Sequence, residues 1–511
     1  MMKKHALLLG LSLALALMLC ACDSGTPSTE PAADPSATDS GPRTDLNLSS
    51  TEAVETLDPH YTARSADRAV EFQIYEPLYL IDDDSSEIPL LATDYSVSED
   101  GLTYTFNIRQ GVQFHNGEEL KASDVVFSYE RSMESAHMYS YVEPIVSVDA
   151  PDDYTFVIEL KAAYAPFMQY VAAIPIVNEK QCLEAGEDFA LNPCGTGPYT
   201  LSDYQQNVSL SLQSFPDYWD GEPPIHTVNI KVITDTSTAL LSFETGELDY
   251  VSVPTASWAD VQASGKYNTL TPTSLAVAFL SMNNEVAPFD NKLVRQAVNY
   301  ALNREDICLM SLDGLAEPIS TIANPDYVFG VSDDCISYDY DPDKARELLA
   351  EAGFADGFDA GSILVSSGVL EKAAQVVQSN LADVGITATV EMGESSAVVT
   401  DCMSGNYTLA CMQVGRYPDF ATYDMLYQTQ YIDNINLARY SNPEVDELFN
   451  RGVVTLDQNE RLAIYDEILS IVQEDAVYAP MFTPVSPIAY AKELNLTTHL
   501  VGSFFKEYSW N

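Results

Sequence analysis

The chain has 511 residues, 46% of them apolar and 20% charged, with 24 Lys and Arg against 76 Asp and Glu for a formal net charge of −52. That length supplies ample chain for more than one hydrophobic core, and the composition is globular rather than disordered. The acidity excludes nucleic-acid binding, which needs cations to neutralise phosphates, and an anionic bilayer or polyanion would be repelled by most of the surface.

Lys3 and Lys4 precede an apolar run from Ala6 to Leu19, the layout of an export signal. The run falls short of the ~20 residues that span a bilayer. It closes on Leu19-Cys20-Ala21-Cys22, which resembles the bacterial lipobox. A small residue stands before Cys22, whereas Cys20 follows Leu19, too bulky for the cleavage site. Residues 1–22 are therefore expected to be a lipoprotein signal peptide lipidated at Cys22. Residues 23–44 hold no aromatic or large aliphatic side chain and predict a flexible tether.

Beyond the tether, strands and helices alternate. Tyr104, Phe106 and Ile108 interleave with Thr105 and Asn107 in the period-two pattern of a strand, and Tyr154-Phe156-Ile158-Leu160 and Val208-Leu210-Leu212 repeat it. Leu293, Val294, Ala297, Val298, Ala301 and Leu302 form a helical stripe, as do Tyr465, Ile468, Leu469 and Val472. Asp341-Pro342 predicts a capped helix start, closed by Gly353, and Asn442-Pro443 predicts another. There is no internal repeat and no second low-complexity linker, so the domains are interleaved rather than strung in series.

Catalytic signatures are missing. The sequence has no His-Glu-x-x-His, no Gly-x-Ser-x-Gly and no Walker loop. Gly195-Thr196-Gly197-Pro198 lacks the third glycine of a phosphate-binding turn, and its proline removes an N–H. Asp339, Asp341 and Asp343 begin like a calcium loop, but Lys344 and Ala350 occupy its glycine and glutamate positions. No cofactor or metal is expected. Six cysteines follow the signal (Cys182, Cys194, Cys308, Cys335, Cys402 and Cys411), none in a Cys-x-x-Cys pair, and their pairing is left open.

The stretch Gly-Leu-Thr-Tyr-Thr-Phe-Asn-Ile-Arg-Gln-Gly-Val-Gln-Phe-His-Asn-Gly, from Gly101 to Gly117, closely resembles the signature of the oligopeptide and dipeptide solute-binding proteins of ABC importers, family 5. Further matches follow in family order: Leu57-Asp58-Pro59-His60, Tyr75-Glu76-Pro77-Leu78, Gly195-Thr196-Gly197-Pro198-Tyr199, Asp217-Tyr218-Trp219, Gly246-Glu247-Leu248-Asp249, Val294 to Leu302, Tyr340-Asp341-Pro342 and Tyr440-Ser441-Asn442-Pro443. The likeness covers about residues 46–500. It implies an α/β, two-lobed periplasmic-binding-protein-like fold of type II, with an additional domain and hinge closure. By similarity, lobe I comprises 45–85, 192–272 and 482–511, domain II 86–191 and lobe III 273–481.

The resemblance also implies a function. The protein would be no enzyme, but a lipid-anchored monomer on the outer face of the bacterial cytoplasmic membrane. It would capture a peptide or peptide-like solute and hand it to the permease and ATPase of an importer. An exported receptor for a peptide signal and an exported hydrolase are the alternatives. Peptide binders of the family often carry Gly-Trp-x-x-Asp in lobe III, where the Asp pairs with the ligand ammonium. Pairing that motif with Met412 to Asp419 puts Gln413 at the Trp and Arg416 at the Asp. Arg416 would then ask for an anion, unless Asp419 neutralises it. Gln413, Tyr417, Asp419, Arg64 and Ser65 are the other candidate ligand contacts.

Overall fold

The computed structural model describes residues 43–332, 337–366, 368–415, 418–500 and 502–511. The signal peptide with Cys22, nearly all of the tether, Cys335, Arg416 and Tyr417 lie outside the described residues.

Local structure follows the sequence patterns closely. Thr103–Ile108 and Thr155–Leu160 are strands, and Tyr104, Phe106 and Ile108 are buried while Asn107 is exposed. The third expected strand starts one residue late, at Ser209, which leaves Val208 in the preceding turn and exposed. Asp341 caps the helix Pro342–Glu351 by accepting the Lys344 N–H at 2.8 Å, and Asn442 caps Pro443–Gly452 by accepting that of Glu444 at 3.0 Å. The acidic run at Asp339 thus serves a helix start.

Two four-stranded sheets build the N-terminal body. In the first, strand β1 (Asp45–Ser50) lies parallel to Thr227–Val232, followed by Ser209–Ser214 and Tyr199–Gln205 in antiparallel array. The second is the antiparallel set Ala92–Val97, Thr103–Ile108, Thr155–Leu160 and Ile145–Asp152. One continuous apolar core joins both sheets, from Leu46 and Val228 to Phe106 and Phe156.

The C-terminal body rests on a six-stranded mixed sheet, ordered Ala316–Pro318, Tyr478–Pro484, Ala276–Met282, Leu409–Gly415, Phe358–Ser366 and Ile386–Gly393. Its central strands are apolar on both faces, because each face carries its own core. Leu280 and Cys411 point into one, and Phe279, Ala410 and Met412 into the other. Cys402 packs in the second core and Cys411 in the first, on opposite sides of the sheet, so these neighbours in sequence do not pair. Cys182, Cys194, Cys308, Cys402 and Cys411 are all free and buried.

The chain crosses between the bodies twice, at 271–275 and 485–487, beside a small sheet of Tyr250–Ser252, Ile488–Tyr490 and Asn268–Leu270. The two crossings are tied together, since Ser486 N–H donates to Pro272 O at 2.9 Å and Ser274 Oγ to Pro484 O at 3.3 Å. The last strand of the large sheet runs to Pro484, so the second crossing follows that residue instead of 481. Among the described residues, no helix is long and apolar enough to cross a membrane.

Two buried polar clusters fix helix α1 (Ser65–Ile74) at its ends. Before it, Arg131 grips Asp58 with both terminal nitrogens, Nη1–Oδ1 at 2.7 Å and Nη2–Oδ2 at 2.6 Å. Nη1 also donates to His60 Nδ1 at 3.0 Å, and His60 Nε2–H donates to Pro175 O at 2.9 Å. That pair of bonds sets the neutral tautomer, and burial lowers the His60 pKa to about 4. After α1, the buried Glu76 accepts from Thr196 Oγ1 and Trp219 Nε1, both at 2.9 Å, and from the Tyr218 hydroxyl at 2.6 Å. Gly195 passes so close that a Cβ there would stand 2.0 Å from Ile74 O, which is why this turn is glycine-rich. The most recognisable motifs of the sequence are therefore scaffold.

Candidate functional site

A cavity of about 570 Å3 opens in the N-terminal body. One wall is α1, which contributes Ser65, Arg68 and Phe72 from a single face at spacings of three and four residues. The floor is the C-terminal end of β1 and the residue after it, Ser49 to Thr51. Carboxyl ends of parallel strands are where open α/β sheets place ligands, because side chains and helix starts converge there without backbone in the way. Tyr250 to Ser252, on the small sheet, and Gly502 and Ser503 close the remaining sides. Its volume lies within the ~300–1,000 Å3 of small-solute sites.

The expected contacts separate at this wall. Ser65 lines the cavity and is exposed. Arg64, one residue earlier, is not among the lining residues. Its guanidinium is spent on Glu55 at 2.7 Å, Glu52 at 3.4 Å and the buried Asp67 at 3.7 Å. Sequence reasoning missed Arg68, although its position three residues after Ser65 on one helix is the signal that would have found it.

Gln413 and Asp419 lie on the C-terminal body, and no hydrogen bond or ion pair among the described residues joins them to Arg64 or Ser65. Gln413 is exposed near the end of Leu409–Gly415, paired with Ala278. Asp419 is 3% exposed. Its Oδ2 meets Arg461 Nη2 at 3.3 Å, while Oδ1 accepts the Ala421 N–H at 2.9 Å and caps a short 3₁₀ turn. Burial holds this carboxyl above the ordinary Asp range despite the arginine. Arg461 stacks 4.5 Å over the Phe329 ring, and its Nε and Nη1 are buried without hydrogen-bond partners. Asp419 thus makes an internal ion pair in this structure.

The strand's end offers a second pairing for the motif. Set on the glycine that closes it, Gly-Trp-x-x-Asp falls on Gly415-Arg416-Tyr417-Pro418-Asp419, which keeps both the glycine and the aspartate. Arg416 then stands at the aromatic position and Asp419 at the acidic one. Next to it, Ser85 of the N-terminal body donates from Oγ to Pro418 O at 3.2 Å, so the two bodies touch beside this segment.

Comparison with known proteins agrees with this architecture. The family described as bacterial extracellular solute-binding proteins, family 5 middle, matches residues 87–434. The heme-binding protein A of Haemophilus influenzae is 29% identical over 520 residues, covering 93% of this chain and 94% of its own. The glutathione-binding protein GsiB of Salmonella paratyphi A is 29% identical over 458 residues, covering 86% of this chain and 89% of its own. The solved structure of HbpA2 from Haemophilus parasuis superposes with a TM-score of 0.84 at 23% identity, over 91% of this chain and 100% of that one, and shows the shared fold.

Proposed function

Because the chain belongs to the bacterial extracellular solute-binding proteins of family 5, we propose that it captures a peptide or peptide-like solute and delivers it to the permease and ATPase of an ABC importer. Proteins of this family are transport receptors and not enzymes. The observation that carries the reading is a solute-sized cavity in the N-terminal body together with two tied crossings, about which rotation of one body over the other would enclose a solute. A peptide-like cargo is supported by GsiB, whose named ligand, glutathione, is itself a tripeptide.

We read the molecule as a monomer anchored outside the cytoplasm through a lipid on Cys22, with the tether giving it reach. Two or three acyl chains hold where one would not, and an acidic body needs that anchor at an anionic surface. The division into lobe I, domain II and lobe III is retained, with lobe III extended to Pro484. Ser65 is kept as a solute contact because it lines the cavity. Gln413, Arg416 and Tyr417 are kept as contacts from lobe III on the first of the two motif pairings. Arg64 and Asp419 are read as structural, each committed to internal ion pairs.

The test is mass spectrometry of small molecules released when the purified full chain is denatured, followed by small-angle scattering with the identified solute. A peptide or peptide conjugate, and a compaction on adding it back, are expected. Release of no such solute, together with no compaction or thermal stabilisation across a peptide library, would overturn the reading.

A further inference from the structure

The lining of the cavity is unlike the rest of the molecule. The chain carries 76 Asp and Glu against 24 Lys and Arg, yet among the described residues no Asp or Glu lines this space, and Arg68 is its one charged side chain. The same cavity is lined by Ser49, Thr51, Ser65 and Ser252, whose hydroxyls are hydrogen-bond donors. The helix start at Ser65 faces the same space, and the N-cap residue Arg64 provides no side-chain acceptor for its first N–H groups.

We propose that this cavity receives a solute carrying a carboxylate, and that Arg68 is the side chain that takes it. The inference rests on the solute-capture reading of the same cavity and adds the charge of the cargo and the residue that selects it.

The charges nearby support an unspent guanidinium. Arg68 forms no ion pair among the described residues, and the one hydrogen bond of its guanidinium there is a long contact from Nη2 to Met138 Sδ at 3.8 Å. Neighbouring carboxylates are engaged elsewhere. Asp67 holds the Thr62 hydroxyl at 2.8 Å and the Glu55 N–H at 2.8 Å, and Asp58 is gripped by Arg131 at 2.6 Å. Glu71, three residues along α1, is 3% exposed; burial pushes its carboxyl up to about 8 although the Arg68 charge draws it down, so the two do not form a settled ion pair. A guanidinium without an ion pair, in a cavity that hydroxyls also line, matches a carboxylate in a bidentate hold. An ammonium in the same place would meet a like charge and donors facing donors.

The experiment uses the purified full chain and two tripeptide pools of matched sequence. One pool has free C-terminal carboxylates and Glu side chains. The other is C-terminally amidated, with Gln in place of Glu. Calorimetry and thermal melting are run on wild type, Arg68→Gln and Arg68→Lys. The free-acid pool is expected to bind wild type at least about tenfold more tightly than the amide pool, Arg68→Gln to lose at least about tenfold for the acid pool alone, and Arg68→Lys to recover part of it. Unliganded melting of both variants should match wild type, which separates solute contact from a folding role. Equal binding of the two pools, or an Arg68→Gln affinity within about twofold of wild type, overturns the proposal while the capture reading stands. If neither pool binds wild type, the peptide-like reading itself fails and takes this inference with it.

Discussion

Arg461 holds Asp419 in a buried ion pair, Nη2 to Oδ2 at 3.3 Å, and leaves its own Nε and Nη1 without hydrogen-bond partners. Removing one partner of such a pair strands a buried charge, whereas replacing both with apolar groups of similar volume is often nearly neutral. Arg461→Met is therefore expected to destabilise the unliganded protein by about 3–5 kcal/mol, and Asp419→Leu with Arg461→Met by clearly less than the sum of the single changes. Chemical denaturation of the four-member cycle checks this. Additive changes would show that the pair does not couple.

The buried imidazoles set an acid limit on stability. Burial lowers the pKa values of His60 and His115 to about 4, from ordinary values near 6.5. Above pH 6.5 neither the folded nor the unfolded ring is charged, and their full contribution is present. As the pH falls from 6.5 towards 4, the unfolded chain binds these protons and the folded chain does not, so stability drops by up to roughly 3 kcal/mol for His60. His60→Gln should cut the proton uptake on unfolding in that window by about one. The slope of unfolding free energy against pH is the readout, and an unchanged slope contradicts it.

Glu71 acts in the opposite direction. Its carboxyl is pushed up to about 8 by burial, from an ordinary 4.5, and its Oε1 has no hydrogen-bond partner. Between pH 4.5 and 8 the unfolded chain gives up this proton and the folded chain keeps it, so stability falls as the pH rises. Glu71→Gln removes that loss. Near pH 4.5 the two proteins should melt alike, and at pH 8 the variant should be more stable by up to a few kcal/mol. Equal stability at both values would show that Glu71 is hydrated in solution.

How much of this could be read beforehand differs between scaffold and site. Strand alternation at Tyr104 to Ile108 and the capping residues Asp341 and Asn442 are local signals, and the structure places elements there. The long-range roles were not legible. Nothing near Glu76 in sequence says that Thr196, Tyr218 and Trp219 will converge on it, because that contact is made only when separate segments pack. The same holds for Asp419. The residue that neutralises it, Arg461, is 42 positions away, on the helix Gln458–Glu474. The cavity depends on an absence, that of carboxylates along one helix face, and in a chain so acidic only the folded arrangement reveals it.

The remaining prediction concerns the membrane. Leu19-Cys20-Ala21-Cys22 places a leucine three residues before Cys22 and a small residue just before it, after an apolar run too short to span a bilayer. Cleavage before Cys22 and acylation of its thiol would put the lipid at the head of the segment expected to serve as a tether. In wild-type cells, intact-mass analysis of membrane extracts should give a chain that begins at Cys22 and carries acyl groups. Cys22→Ala should yield either the unprocessed precursor or protein shed from the membrane, with the folded body's melting unchanged because the anchor lies outside it. Cys20→Ala should leave processing intact, since Leu19 does not suit the cleavage site before it. A Cys22→Ala protein that still reaches the membrane processed and acylated would move the anchor to another residue.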